Sequence, residues 1–125
     1  MTSIVAESKL ISKAVNMRTK TNSLDPVSFA KILADPTRQQ IMECCCCEWR
    51  NVNQIVAAVN VSQPTVSHHL AVLKEAGLVT VEEKGKNTFY MLNQEKVAFC
   101  CGQLITTFAP ESLAAERVIQ LTEVK

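Results

Sequence analysis

Between Asn60 and Leu92 the chain carries four local signals in a fixed order: a turn, a capped helix, a glycine stop and a hairpin. After the turn Asn60-Val61, Ser62 suits an N-cap, and Pro64 sits in the first turn where its missing N–H costs nothing. Gly77 suits the left-handed residue that ends the helix. Leu78–Glu82 and Thr88–Leu92 then read as two strands joined through Lys84-Gly85-Lys86-Asn87.

Upstream, Asp25-Pro26 and Asp35-Pro36 each read as an N-cap followed by proline at the first helical position. The first opens a short helix through Phe29, Ile32 and Leu33; the second opens one running to about Glu48. Asn51 can cap a third short helix through Ile55 and Val59. Downstream, a fifth helix is expected over 94–108, stopped by Pro110, and Ser112–Val124 has the pattern of one more amphipathic helix. Helices, a two-stranded wing and a further helix make a mainly α chain with a small β-wing, a winged helix-turn-helix. Its third and fourth helices form the DNA-reading pair. The domain spans 25–108, with an arm over 1–24, read as a mobile or partner-docked extension, and a tail or short helix over 109–125.

Projected at about 100° per residue, residues 62–76 place Val66, Leu70, Leu73 and Ala76 on an inward stripe. Pro64, Ser67, His68, Ala71 and Glu75 fall opposite, with Gln63 and Thr65 on the flanks. Small and polar side chains near the start of such a helix suit entry into the major groove. Gln63 and Ser67 can donate or accept there, and the Thr65 methyl can meet a thymine. His68 points outward, to a base, a phosphate or solvent, whereas His69 lies at the core edge as a packed imidazole. Lys84 and Lys86 bring two ammonium groups to the wing tip, for phosphate or minor-groove contact or for simple solvation.

The chain's 125 residues fit one hydrophobic core plus extensions. No apolar run approaches the length of a membrane span, and the first residues lack the pattern of a secretory signal, so a cytoplasmic protein is expected. Net charge is only +1, low for a nucleic-acid binder, but residues 1–24 hold Lys9, Lys13, Arg18 and Lys20 against Glu7. Six cysteines fall in two blocks, Cys44–Cys47 and Cys100–Cys101, unlike the dispersed framework of a disulfide scaffold. In a reducing cytosol they are thiols open to metals or oxidants.

Three segments, Leu33-Ala34-Asp35-Pro36-Thr37-Arg38, Val61–Leu70 and Leu73-Lys74-Glu75-Ala76-Gly77-Leu78-Val79, closely resemble the ArsR/SmtB family of metalloregulatory repressors. The resemblance covers roughly residues 25–108. It implies a homodimeric winged helix-turn-helix that sits on a palindromic double-stranded operator and leaves it when an effector binds. DNA contacts would then come from Gln63, Thr65, Ser67 and His68, with the wing near Lys84 and Lys86. The family's common soft-metal site, a Cys-x-Cys opening the third helix, is replaced here by Asn51-Val52-Asn53. Its zinc site on the last helix wants Asp-x-His, then His and Glu; Gln94-Glu95-Lys96 stands in the first part, and Thr107 and Pro110 fall near the second. A lysine cannot replace imidazole on zinc at neutral pH.

The cysteine blocks are the remaining sensor candidates. Cys44 and Cys45 flank inward Ile41, Cys46 and Cys47 flank outward Glu43, and Cys101 lies with Val97, Leu104, Ile105 and Phe108, with Cys100 at that stripe's edge. Some relatives link single cysteines across these two helices, so the blocks could face one another. Three converging thiolates suit arsenite, Cd(II) or Cu(I); the same cluster could oxidise to a disulfide or polysulfide bridge. Either chemistry would strain or unwind the end of the second helix. Cysteine also packs as a small hydrophobe, the ordinary reading of any one of the six. No obligatory cofactor is implied, only arsenite or a soft metal on thiolates. The expected function is a repressor switched by thiol chemistry and not an enzyme. The alternatives are a winged-helix protein-interaction module without a sensor and a thiol oxidoreductase, the latter without a separate Cys-x-x-Cys or a catalytic dyad.

Overall fold

The computed structural model describes residues 24–123, with side chains to residue 120; the N-terminal arm lies outside the described residues. Six helices and a small sheet follow in the order α1 (Pro26–Leu33), α2 (Pro36–Cys44), β1 (Arg50–Asn51), α3 (Val52–Val59), α4 (Gln63–Glu75), β2 (Val79–Lys84), β3 (Asn87–Leu92), α5 (Gln94–Phe108) and α6 (Leu113–Glu123).

Each helix start has a local chemical cause. The Asp25 carboxylate accepts from the Ser28 amide at 2.8 Å and Asp35 from the Arg38 amide at 3.0 Å. Those bonds hold both carboxyls below their ordinary pKa. Asn51 and Gln54 form a reciprocal capping box, each side chain bonding the other's backbone at 2.9 Å. Ser62 and Asn93 cap α4 and α5. The end of α4 is equally specified: Gly77 takes φ +77°, its N–H donates to the Lys74 carbonyl at 3.0 Å, and Leu78 N–H reaches back to Leu73 at 2.9 Å. This is a Schellman stop, and Leu73 and Leu78, both fully buried, supply its apolar contact.

The three strands are antiparallel in the order β1-β3-β2, with Val79 opposite Leu92 and Lys84 opposite Asn87. A two-residue turn at Gly85-Lys86, with Gly85 at φ +62°, closes the wing. The edge strand β1, pairing Arg50 with Tyr90 and Asn51 with Phe89, has no counterpart in the sequence reading. Phe29, Ile41, Ile55, Val66, Leu70, Leu73 and Leu78 form the core where α1 to α4 meet β2. Each contributes about 1.5–3 kcal/mol of apolar burial. Gly102 is buried beneath α6, where an added Cβ would stand 3.1 Å from a Val118 methyl.

One boundary departs from expectation. The second helix ends at Cys44, not near Glu48, because Cys45 turns to φ −109°, ψ 19° and the next residues bend. The carbonyls that a longer helix would use internally are captured from outside. Arg50 Nε donates to Cys44 O at 3.3 Å, Leu92 N to Cys45 O at 2.8 Å, and Gln94 Nε2 to Cys46 O at 2.9 Å.

Candidate functional site

The α4 surface divides as its periodicity requires. Val66, Leu70 and Leu73 are buried, while Gln63, Pro64, Thr65, Ser67, His68 and Ala71 are exposed. Gln63, Thr65, Ser67 and His68 therefore share the outer face over the first turns. The Ser62 and Thr65 hydroxyls stand 2.8 Å apart, so Thr65 is tied to the cap that starts the helix.

His69 belongs to the inner side, at 8% exposure. Arg38 Nη1 lies 3.4 Å from its Nδ1, and Arg38 Nε donates to the Ile32 carbonyl at 3.1 Å. Desolvation lowers the His69 pKa, with the Asp35 carboxylate partly opposing it and Arg38 reinforcing it. A neutral ring can accept a hydrogen bond from the guanidinium, so this contact braces α4 against α2. The sequence pattern placed His69 at the core edge but gave no sign of Arg38 as its partner, thirty-one positions away.

At the wing, Lys84 and Lys86 are both exposed, and Lys84 Nζ lies 3.6 Å from Glu82 Oε1. With Glu83 beside them, the wing is a balanced ribbon and not a basic one.

The six cysteines are all free thiols in distinct settings. Cys45 is fully buried, and burial, reinforced by the neighbouring Cys44, pushes its pKa up to about 11. Cys100 is 1% exposed and raised by burial, with Lys96 opposing. The wheel expectation for α5 is thus corrected: Cys100, not Cys101, takes the innermost position. The core at this level is reached from the Cys100 side, while Phe108 on the expected stripe is 78% exposed.

Cys44 and Cys101 pack at the core margin, Cys46 is half-buried and Cys47 exposed. The Cys46 pKa is raised, first by the neighbouring Cys47 side chain and second by burial. Gln94 Nε2 also reaches Cys47 Sγ at 3.9 Å. The two cysteine blocks do meet one core, since Cys45 and Cys100 both belong to it. Among the described residues, however, no three His, Cys, Asp or Glu side chains are grouped to hold a metal ion, so the expected three-thiolate cluster is not assembled within one chain. Expectation also tied ligand chemistry to unwinding of α2. Cys46 and Cys47 already stand outside that helix.

Comparison with known proteins accords with this geometry. The sequence profile described as bacterial regulatory protein, arsR family, matches residues 35–81, from the α2 cap into β2. The transcriptional repressor SdpR of Bacillus subtilis is 35% identical over 63 residues, 50% of this chain and 70% of that protein. The arsenical resistance operon repressor of Escherichia coli is 37% identical over 75 residues, 54% of this chain and 59% of that protein. Among solved structures, the homodimeric winged helix-turn-helix DNA-binding domain of a possible ArsR-family regulator from Mycobacterium bovis superimposes with a TM-score of 0.53. It is 28% identical, over 67% of this chain and 77% of that one.

Proposed function

The chain belongs to the ArsR family of bacterial regulatory proteins, and from that membership we propose that it is a homodimeric, operator-binding repressor released from DNA by chemistry at its cysteine thiols. The observation that carries the proposal is the exposed row Gln63, Thr65, Ser67 and His68 at the start of a helix whose opposite side is locked into the core. Those groups can reach base edges, while Lys84 and Lys86 on the wing reach phosphate or the minor groove.

Dimerisation has a surface to use. Val27 and Phe108 are 64% and 78% exposed, and with Pro26, Ala30 and Leu104 they line an apolar groove between α1 and α5. The Mycobacterium bovis domain of the same architecture is homodimeric. A palindromic operator follows from two-fold symmetry.

The sensor reading is supported by elimination. Asn51 and Asn53 occupy the place of the family's thiolate pair, and the residues at the last-helix zinc position are Gln94 and Lys96. Thiols remain as the effector-responsive groups, consistent with arsenite, a soft metal or an oxidant as effector. Among the described residues no helix is long and apolar enough to cross a membrane.

A gel-shift series on reduced protein tests both halves. Binding of duplexes from the protein's own promoter region, beyond random DNA at low salt, is expected. So is release by an arsenical, Cd(II) or peroxide that disappears when all six cysteines are replaced. One observation favours a second reading, a protein-interaction module: the wing offers Glu82 and Glu83 beside its two lysines. Binding without the steep salt dependence of phosphate contacts would select that reading.

A further inference from the structure

We infer that Arg38 is a positioning residue for DNA recognition: through the His69 ring it sets how α4 sits on α2, and the joint closes only while that ring is neutral, so a proton on His69 weakens operator binding. The inference rests on the operator-binding reading above and adds to it a proton-borne control that uses none of the six cysteines.

Arg38 joins three elements. Its amide donates to the Asp35 carboxylate at the start of α2, at 3.0 Å. Its Nε donates to the Ile32 carbonyl in the last turn of α1, at 3.1 Å. Its Nη1 lies 3.4 Å from His69 Nδ1, midway along α4. The first two contacts hold the guanidinium in place, and the third defines where α4 must stand. The other buried side chains of α4 are Val66, Leu70 and Leu73, all apolar. Apolar packing is non-directional, so the hydrogen bond supplies an orientation that the core does not.

The chemistry of the contact fixes its protonation state. A guanidinium has donors and no acceptor, and it stays charged at any pH a protein meets. Nδ1 is therefore the acceptor, and the neutral ring carries its proton on Nε2. A second proton turns Nδ1 into a donor facing a donor and sets two cations in contact. The hydrogen bond is then lost, and a ring only 8% exposed has little water to replace it. The charged groups facing the ring are the Asp35 carboxylate, the Arg38 guanidinium and the neighbouring His68. Asp35 favours the charged ring; burial, Arg38 and His68 oppose it and prevail, so the His69 pKa is lowered.

The two adjacent histidines answer acid in opposite directions. Their ring centroids are 5.7 Å apart with the planes tilted by 57°, and His68 is exposed on the outer face of α4. A proton on His68 adds positive charge on the side offered to phosphate. A proton on His69 removes the brace behind it. Replacing His68 silences the first effect and leaves the second to be read alone.

Operator affinity of the full-length reduced chain, measured by fluorescence anisotropy at fixed salt in a His68→Gln background, tests this. It should fall by about fivefold or more between pH 7.5 and 5.0, the size of one lost charged hydrogen bond. The fall should vanish in His68→Gln/His69→Gln, whose side-chain oxygen can accept from Arg38 at either pH. His68→Gln/His69→Leu, with no acceptor, should bind more weakly than the glutamine variant at both. Without DNA, nitrogen-15 spectra of the histidine rings should show His69 at pH 7.5 with a bare Nδ1 and a protonated Nε2. Its titration should move to higher pH in Arg38→Met. An equal fall with and without His69, or tighter binding at pH 5.0 in the His68→Gln chain, overturns the proton control. A proton on Nδ1 at pH 7.5, or an unmoved titration in Arg38→Met, overturns the joint itself; should Arg38→Met fail to fold, the wild-type ring spectra decide. If no duplex binds at any pH, the repressor reading fails, and the ring spectra still decide whether Arg38 holds His69.

Discussion

Single side chains on α4 have separable roles that follow from which way they face. Gln63→Ala or Thr65→Ala removes a group from the outer face without touching the core. Each should weaken operator binding by about 1–3 kcal/mol at one base position, read by fluorescence anisotropy on matched and mismatched duplexes, with an unchanged circular dichroism spectrum. Lys86→Ala should instead weaken all sequences alike and reduce the slope of log affinity against log salt by about 1. His69 acts inwardly and reports through pH. Its pKa is lowered in the fold, so the unfolded chain binds the extra proton first as pH falls below the ordinary value of 6.5. Stability should therefore decline from near that pH downward until the folded-state pKa is passed. Asp25 and Asp35, also lowered, add a separate loss as pH falls through and below 3.8. Urea titrations from pH 7.5 to 3 should show the first decline disappear in His69→Gln while the second remains.

At the scale of elements, the glycines test how the wing and the last helix are attached. Gly77→Ala places a Cβ on left-handed backbone at the end of α4 and should cost about 1–2 kcal/mol, measured by chemical denaturation. Gly102→Val pushes into Val118 across the α5–α6 contact and should cost about 1–3 kcal/mol, with the loss centred on α6 in hydrogen exchange. Most element starts were legible because each has a chemical signature: Asp25-Pro26, Asp35-Pro36, Asn51 and Ser62, with Gln54 as the partner of Asn51 seen only in the structure. The α5 span and the Gly77 stop were legible for the same reason. The end of α2 was not, because cysteine lacks a strong stop signal and the partners that capture Cys44, Cys45 and Cys46 arrive from β1, β3 and α5. A two-residue edge strand is too short to show alternation, so β1 was invisible. The outer face of α4 could be read from periodicity, but the ranking of the cysteines depends on burial that only packing assigns.

For the whole molecule, the apolar groove between α1 and α5 and the reading face must act together if the protein grips a two-fold operator. Phe108→Glu replaces a largely exposed ring, so the fold should survive it. Sedimentation should then show a shift from dimer to monomer, and operator affinity should drop by at least tenfold. Charge also matters at this scale. The arm contributes Lys9, Lys13, Arg18 and Lys20 against Glu7, so removing residues 1–23 leaves a net acidic chain; operator binding should weaken most at low salt. The capture of three successive cysteine carbonyls has a consequence in time. The bond from Gln94 to Cys46 spans 48 positions, and loop closure over such a length comes after local helices and hairpins have formed. During synthesis and refolding, Cys45 is therefore among the last thiols to be sheltered. Refolding in an oxidant should yield chains mispaired at Cys45, whereas the same oxidant applied to the folded protein should reach Cys46 and Cys47 and leave Cys45 reduced, so the position of a disulfide records whether the oxidant arrived before or after folding.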